Sequence, residues 1–333
     1  MTRILPQSLA LQRQLIQQLS DGNTYSGELL AEQAGMSRAA IARHIAQLQS
    51  YGLEIYSIKG KGYKLSAPLQ LLDAAKIRQY QTVGMAEVLL QHVTDSTNSQ
   101  MLKRLQEGQA ISKGAVLVAE AQTTGRGRRG NSWYSPFGAN LYFSMYWQLE
   151  QGIQAAMGLS LVIGVAVAEV LEAQFNLPVR LKWPNDIYLA DKKLAGILIE
   201  LAGQSHAQCD LVIGLGLNLN MPPQADQQIS QAWTDLQQHL AQPVDRNLLI
   251  ALIQQRIVSH LITFESSGFQ PFSTAFNQRD QFLGRHVCLS SGDKQYVGLN
   301  LGADNQGGLV LEQAEQKQTF YGGELSLRGQ NLG

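Results

Sequence analysis

Three arginines fall within six residues in Gly125-Arg126-Gly127-Arg128-Arg129-Gly130. Guanidinium groups so close repel one another unless an anion compensates them, which marks a loop built to meet phosphate. The competing reading is a solvated basic loop. Gly125, Gly127 and Gly130 also match the GxGxxG spacing of a dinucleotide-binding turn and follow the apolar run AVLVAEAQ at 115–122. Such a turn opens a helix, whereas Asn131-Ser132-Trp133-Tyr134-Ser135-Pro136-Phe137-Gly138 leads into another strand-like run, NLYFSMYW. The closing Gly-Lys-Ser/Thr of a Walker A loop is missing too, so the glycines serve a different phosphate chemistry. Trp133 either offers its face to an adenine or closes the core.

Other polar groups stand at corners where a ligand could be held. Thr94-Asp95-Ser96-Thr97-Asn98 ends a strand-like run and caps the helical stretch NSQMLKRLQ. Capping alone accounts for one or two of these residues; the others are oriented donors and acceptors at a strand-to-helix corner. Lys182-Trp183-Pro184-Asn185-Asp186 and Asp191-Lys192-Lys193 read as polar hairpin turns. Gly196, Gly214 and Gly216, ahead of Asn218, interrupt strands where a side chain would otherwise pack, which suggests close approach of a ligand or a bulge. The six histidines are scattered, Cys209 and Cys288 are the only cysteines, and there is no GxSxG. No side-chain set is expected to hold a metal by itself, which leaves arginine, lysine and magnesium to carry the chemistry.

These residues need elements to position them. The 333 residues are 44% hydrophobic, with 26 basic and 26 acidic side chains, so any basic site must be local. Two unpaired cysteines favour a reducing compartment, the cytoplasm. The amino terminus lacks the unbroken apolar core of a secretory signal, and the apolar run 159–168 is too short to span a bilayer, which takes about 20 residues, so no membrane association is expected. That run reads as a buried helix.

Over residues 1–66 the apolar spacing is helical and then alternates in LEIYSIKGKGYKL. GELLAEQAGMSRAAIARHIAQLQ gives a helix, a turn at Gly35 and a second helix capped by Ser37: a helix-turn-helix followed by a hairpin wing. Ile41, Ile45 and Leu48 share the inner face, leaving Ser37, Arg38, Ala39, Arg43 and His44 for a major groove, and Lys59, Lys61 and Lys64 for phosphates on the wing. Seven basic residues stand against four acidic ones there, a modest excess that a protein-binding module would also tolerate. Residues 67–275 alternate strand-like runs with helices, giving a mixed α/β sheet, with the joint near Pro68. Residues 276–333 give short strands between turns, a small β-barrel. The fold class is therefore α/β (α+β).

The segments GRGRRG, WYSPFGANLY, KWPND, KLAGILIE and GLGLNLN, in this order, strongly resemble the biotin protein ligases. With the helix-turn-helix in front, the chain resembles the bifunctional bacterial members that also repress the biotin operon. The resemblance covers nearly the whole chain. It implies a winged helix-turn-helix, a central domain related to class II aminoacyl-tRNA synthetases and an SH3-like barrel. The implied reaction joins biotin to ATP as biotinyl-5'-AMP, releasing pyrophosphate, and then passes biotin to a lysine of the biotin carboxyl carrier protein of acetyl-CoA carboxylase. Biotinyl-5'-AMP is also the implied corepressor, driving a homodimer onto two-part operator DNA. Biotin contacts are implied for Ser96, Thr97, Asn98, Gln122, Arg126, Gly127, Arg128 and Lys193. Nucleotide contacts are implied for Arg128, Trp133, Asn185, Asp186 and Asn218, with magnesium on the phosphates. Arg128 and Lys193 carry the catalytic roles, Lys193 bridging carboxylate and phosphate. Relatives often have another basic residue after the last loop glycine; here Asn131-Ser132 follow, and the loop is expected to order with its ligand.

Two other function classes compete. A ligand-sensing transcription factor would not need the three arginines, and a lipoate ligase would carry neither the helix-turn-helix nor the KWPND turn. The loop charges predict that Arg128→Gly weakens retention of the acyl-adenylate, which escapes and acylates bystander lysines. Labelling a mixture of carrier and unrelated proteins measures this, and unchanged selectivity refutes it.

Overall fold

Ser26 and Ser37 each turn an extended stretch into a helix by accepting a backbone N–H, from Leu29 at 3.0 Å and from Ala40 at 3.2 Å. They open α2 (Gly27–Ala34) and α3 (Arg38–Ser50), which follow α1 (Gln7–Leu19). Gly35, at φ 62°, donates to the last carbonyls of α2 and makes the tight turn. Ile41, Ile45 and Leu48 are buried against Leu15, Leu19 and Leu30, as their spacing predicts. The wing is an antiparallel pair, β1 (Ile55–Ile58) and β2 (Gly62–Leu65). The computed structural model describes residues 7–150, 156–204, 208–291, 294–321 and 325–329.

The central sheet runs β3 (Val88–Thr94), β4 (Val116–Gln122), β5 (Asn140–Leu149), β9 (Cys209–Asn218), β8 (Lys192–Gln204), β7 (Asp186–Leu189) and β6 (Arg180–Lys182). Only β3 and β4 are parallel, because α5 (Thr97–Gln106) makes the crossover between them. Alternation splits the sheet into two faces. Val116, Val118, Phe143, Met145, Ile213 and Leu215 pack into the main core with α6 (Leu159–Phe175) and α8 (Arg246–Ser267). Leu117, Tyr146 and Val212 turn the other way, onto Met101 of α5. Among the described residues α8 is long and apolar enough to cross a membrane by length and composition, yet it serves as a core helix against α4 (Ala74–Tyr80), α6 and β5.

Short helices α7 (Ala225–Gln228) and α9 (Ser273–Arg279) precede the last unit, an antiparallel sheet of β10 (His286–Ser291), β11 (Lys294–Ala303), β12 (Leu309–Gln313), β13 (Gln316–Phe320) and β14 (Leu325–Gly329). Its order is β13-β12-β11-β10-β14. Val287, Leu289, Leu309 and Leu311 belong to the same apolar cluster as the central sheet. The Trp183 indole N–H donates to the Gly307 carbonyl at 3.0 Å, and Gln281 N to the Leu181 carbonyl at 2.8 Å. The terminal sheet thereby braces the β6–β7 hairpin from behind.

The joint after the wing is held by a buried ion pair rather than left as a free linker. Glu120 of β4 and Arg246 at the start of α8 meet at 2.8 Å, with side chains 0% and 5% exposed. Glu120 also accepts from Leu72 N, Arg246 donates to the Gln70 carbonyl, and Asp73 N donates to Asn247 at 2.8 Å. Removing one member leaves the other charge buried and uncompensated. Glu120→Ala is expected to lower the unfolding free energy by about 3–5 kcal/mol. Urea denaturation measures this, and a loss under about 1 kcal/mol, the range of exposed pairs, contradicts it.

Candidate active site

A cavity of about 550 Å³ opens on the face of the sheet that carries α5. Ser96, Thr97, Asn98, Gln122, Arg126, Gly127, Arg128, Trp133, Asn185, Asp186 and Lys193 all line it, although they come from α5, β4, the arginine loop, the β6–β7 turn and β8. Its two ends differ in character.

One end is neutral and hydrogen-bonding. Ser96 caps α5, and Asp95 holds that corner by accepting from Ser96 N at 2.6 Å and from Gln100 at 2.9 Å. Partial burial opposes ionisation, but these donors, the Gln100 amide first and then the Ser96 backbone N–H, keep the Asp95 carboxyl below its ordinary pKa. The Gln122 carbonyl oxygen accepts from Thr97 N at 2.8 Å and its amide donates to Ser135 Oγ at 2.9 Å, which in turn donates to the Trp133 carbonyl at 2.8 Å. Ser144 of β5, fully buried, sits 2.8 Å from Thr97 Oγ1 and also donates to Asn98 Oδ1.

The other end is cationic. Arg126, where the two ends meet, pairs with Glu200 at 2.7 Å; beyond it Arg128 donates to Asn185 Oδ1 at 2.9 Å, and Lys193 Nζ stands 2.9 Å from Asp186 Oδ1, close enough for an ion pair but off the line of a hydrogen bond. Lys193 also lies over the Trp133 ring, 5.6 Å from its centroid. Burial, with Arg129 beside it, lowers the Arg128 pKa, and Asp186 opposes that shift; the guanidinium remains charged but poorly hydrated. An anion reaching it displaces little water.

The arginine loop is shaped by its own backbone. Gly127 N donates to the Asn131 carbonyl at 2.7 Å, Trp133 N to the Gly125 carbonyl at 2.9 Å, and Arg126 bridges Ser132. Arg129 takes up φ 56° in the single 3-10 turn Arg128–Gly130. Asn131 contributes its carbonyl to this closure, a bond that any residue type at that position supplies.

Several sequence expectations change. Gly196, Gly214 and Gly216 admit the protein's own side chains: a Cβ at Gly214 would meet the Asn98 amide, and one at Gly216 or Gly196 the Trp133 indole. The notch over Gly216 and Gly196 holds Trp133 in the cavity wall rather than in the core. Asn218 does not line the cavity; it is buried and donates to the Thr234 carbonyl at 3.0 Å. Thr234 N donates to the Lys193 carbonyl at 2.9 Å, so Asn218 stands behind Lys193. Lys182 and residues 228–231 also line the cavity, and Ser144 is buried behind it against Thr97 and Asn98. Lys182 was visible in the KWPND turn, where it donates to Tyr188 Oη at 3.3 Å. The burial of Tyr188, seconded by Asp186, pushes its pKa up to about 12, so it keeps its proton. Ser144 lay in a strand, and 228–231 carry no motif.

The residues assigned to DNA lie in the amino-terminal domain. Ser37, Arg38, Ala39, Arg43, Lys59 and Lys61 are exposed, but the Ser37 hydroxyl is engaged in its cap. His44 is half-buried with Nδ1 shut from solvent, because it falls three residues after Ile41 at the rim of the buried stripe.

Residues 90–218 match the Biotin/lipoate A/B protein ligase family, residues 11–64 an HTH domain, and residues 282–328 the Biotin protein ligase C terminal domain. The chain is 47% identical to the bifunctional ligase/repressor BirA of Salmonella typhimurium and 46% identical to that of Escherichia coli, covering 94% of this chain and 96% of each relative. Among solved structures, the biotin protein ligase from Aquifex aeolicus in complex with biotin and ATP aligns at TM-score 0.62 and 30% identity, over 73% of this chain and 99% of that one.

The notch beneath the indole makes a direct prediction. Gly216→Ala should displace Trp133 and cost about 1–3 kcal/mol by overpacking. Tryptophan emission, compared with the same change in a Trp133→Phe background, reports the displacement; an emission difference that does not depend on Trp133 contradicts it.

Proposed function

The chain belongs to the biotin protein ligase family, and from that premise we propose that it forms biotinyl-5'-AMP from biotin and ATP, biotinylates the biotin carboxyl carrier protein of acetyl-CoA carboxylase, and represses the biotin operon. The observation that carries the reading is a single cavity with a neutral hydrogen-bonding end and a cationic end. An acyl-adenylate has that same polarity: an uncharged ring, a mixed anhydride and a phosphate.

In the first step a carboxylate oxygen of biotin attacks the α-phosphorus of ATP, the bond to the bridging oxygen breaks, and pyrophosphate leaves with that electron pair. The nucleophile is already ionised, so the protein needs to position it and neutralise charge rather than remove a proton. Ser96, Thr97, Asn98, Gln122, Arg126 and Gly127 hold the biotin end. Arg128 and Lys193 meet the carboxylate and α-phosphate, Lys193 exchanging Asp186 for the ligand. Trp133, Asn185 and Asp186 face the nucleotide. In the second step the carrier's lysine amine attacks the acyl carbonyl, AMP leaves, and the amine proton goes to solvent. Magnesium would arrive on the ATP phosphates, and Asp186 is the carboxylate the cavity wall offers it. Among the described residues no group of three His, Cys, Asp or Glu gathers to hold a metal alone.

The amino-terminal domain, residues 1–66, reads operator DNA through Arg38, Ala39, Arg43, Lys59 and Lys61, with Ser37 fixing the helix start and His44 at its rim. Residues 67–275 carry the ligase and 276–333 the bracing β domain. The loaded protein acts as a homodimer in the cytoplasm.

Pyrophosphate release is expected with biotin and ATP and not with lipoate and ATP; release with lipoate alone refutes the substrate. A gel shift of biotin-operon operator DNA is expected only when both biotin and ATP are present, and a shift indifferent to them refutes the corepressor role.

A further inference from the structure

The geometry points to Glu200 as the positioning residue that fixes the hydrogen-bond polarity of the biotin end of the cavity, acting through Asn98 and Ser144. Glu200 is on β8, paired with Val212, and so faces the α5 side of the sheet. One of its oxygens accepts from Arg126 at 2.7 Å and from the Asn98 amide at 2.8 Å. Two site residues from separate elements thus converge on one carboxylate. A carboxylate can only accept, so it dictates which way both neighbours point.

Asn98 spends its second N–H on the Leu198 carbonyl at 3.2 Å. With both amide hydrogens directed at β8, its carbonyl oxygen must face Ser144, over the space that Gly214 leaves open. Ser144 has one hydroxyl hydrogen, and Asn98 Oδ1 takes it. Thr97 Oγ1 stands 2.8 Å from Ser144 Oγ and 3.2 Å from Gln122 Oε1, so its own hydrogen goes to one of these two oxygens. In either arrangement Thr97 shows the cavity a lone pair and not a hydrogen. The site is therefore set to receive an N–H from its ligand. A ureido ring supplies one; a dithiolane ring of similar size does not. Polar recognition of this kind discriminates more sharply than shape, because a ligand lacking the donor leaves a buried acceptor unpaired.

Replacing the carboxylate by an amide removes the constraint. A glutamine at 200 that turns its NH2 toward Asn98 no longer accepts from it, so the amide is held by the Leu198 carbonyl alone and the Asn98 and Ser144 orientations that set Thr97 loosen. The change reaches the ring-binding end and leaves the phosphate end, with Arg128 and Lys193, in place.

This rests on the ligase reading, and the experiment separates the two. With purified full-length protein, the KM for biotin and the KM for ATP are measured by pyrophosphate release for wild type, Glu200→Gln and Ser144→Ala. Loss of one polar contact of this kind is expected to raise the biotin KM by about tenfold in both variants, with the ATP KM within about twofold of wild type. An unchanged biotin KM in both variants, or an equal rise in both KM values, overturns the role of Glu200 while leaving the ligase intact. A wild-type protein that releases no pyrophosphate with biotin and ATP overturns the ligase reading itself, and this inference with it.

Discussion

Gathering cations around one cavity is the constraint on which this structure turns. Arg126, Arg128, Lys182 and Lys193 all line a space of about 550 Å³, where their mutual repulsion is poorly screened. The fold offsets that repulsion by giving each its own partner: Glu200 for Arg126, Asn185 for Arg128, Tyr188 for Lys182 and Asp186 for Lys193. The partners come from β7, β8 and the turn between β6 and β7. A phosphate-bearing ligand then enters a site whose charges are already aimed, and need only exchange weak internal partners for itself.

Those partners must themselves be held still, which explains how much of the chain stands behind them. The β6–β7 hairpin carries Asn185 and Asp186, and it is pinned from outside by the terminal sheet through Trp183 to Gly307 and Leu181 to Gln281. Lys193 is held through its backbone by Ala232 and Thr234, and Thr234 by Asn218. On the opposite side, the Glu120–Arg246 pair and its bonds to Gln70 and Leu72 fasten the segment leading in from the helix-turn-helix. The amino-terminal core even includes Ala121 and Phe137 of the catalytic domain, and Phe137 N donates to the Tyr51 carbonyl at 2.8 Å. The DNA-binding unit and the loop that follows Trp133 are thus parts of one packed body.

The sheet's two faces divide the labour. One face is filled by large apolar side chains under α6 and α8, which fixes the strands. The other is interrupted by Gly196, Gly214 and Gly216, and the space they leave takes Trp133 and Asn98. A side chain in place of either β9 glycine would push out one of the groups that define the cavity. The glycines thus set the wall's shape and themselves line the cavity.

Much of this was legible from the residues alone, because period and capping are local properties. The helix-turn-helix, its inner face at Ile41, Ile45 and Leu48, the wing, the strands and the buried helix at 159–175 all follow from spacing and caps. So does the expectation of an anionic ligand, since three arginines within six residues favour a compensating charge. Tertiary structure alone decided which partner each charge meets. It turned Asn218 away from the cavity to support Lys193, gave the strand glycines to Trp133 and Asn98, gave Glu200, the last residue of KLAGILIE, its partners Arg126 and Asn98, and brought in Ser144 and residues 228–231, which no motif marks. The reason is physical: periodicity says which face a side chain takes, but an orientation inside a cavity is set by hydrogen-bond partners contributed by strands and loops distant in sequence.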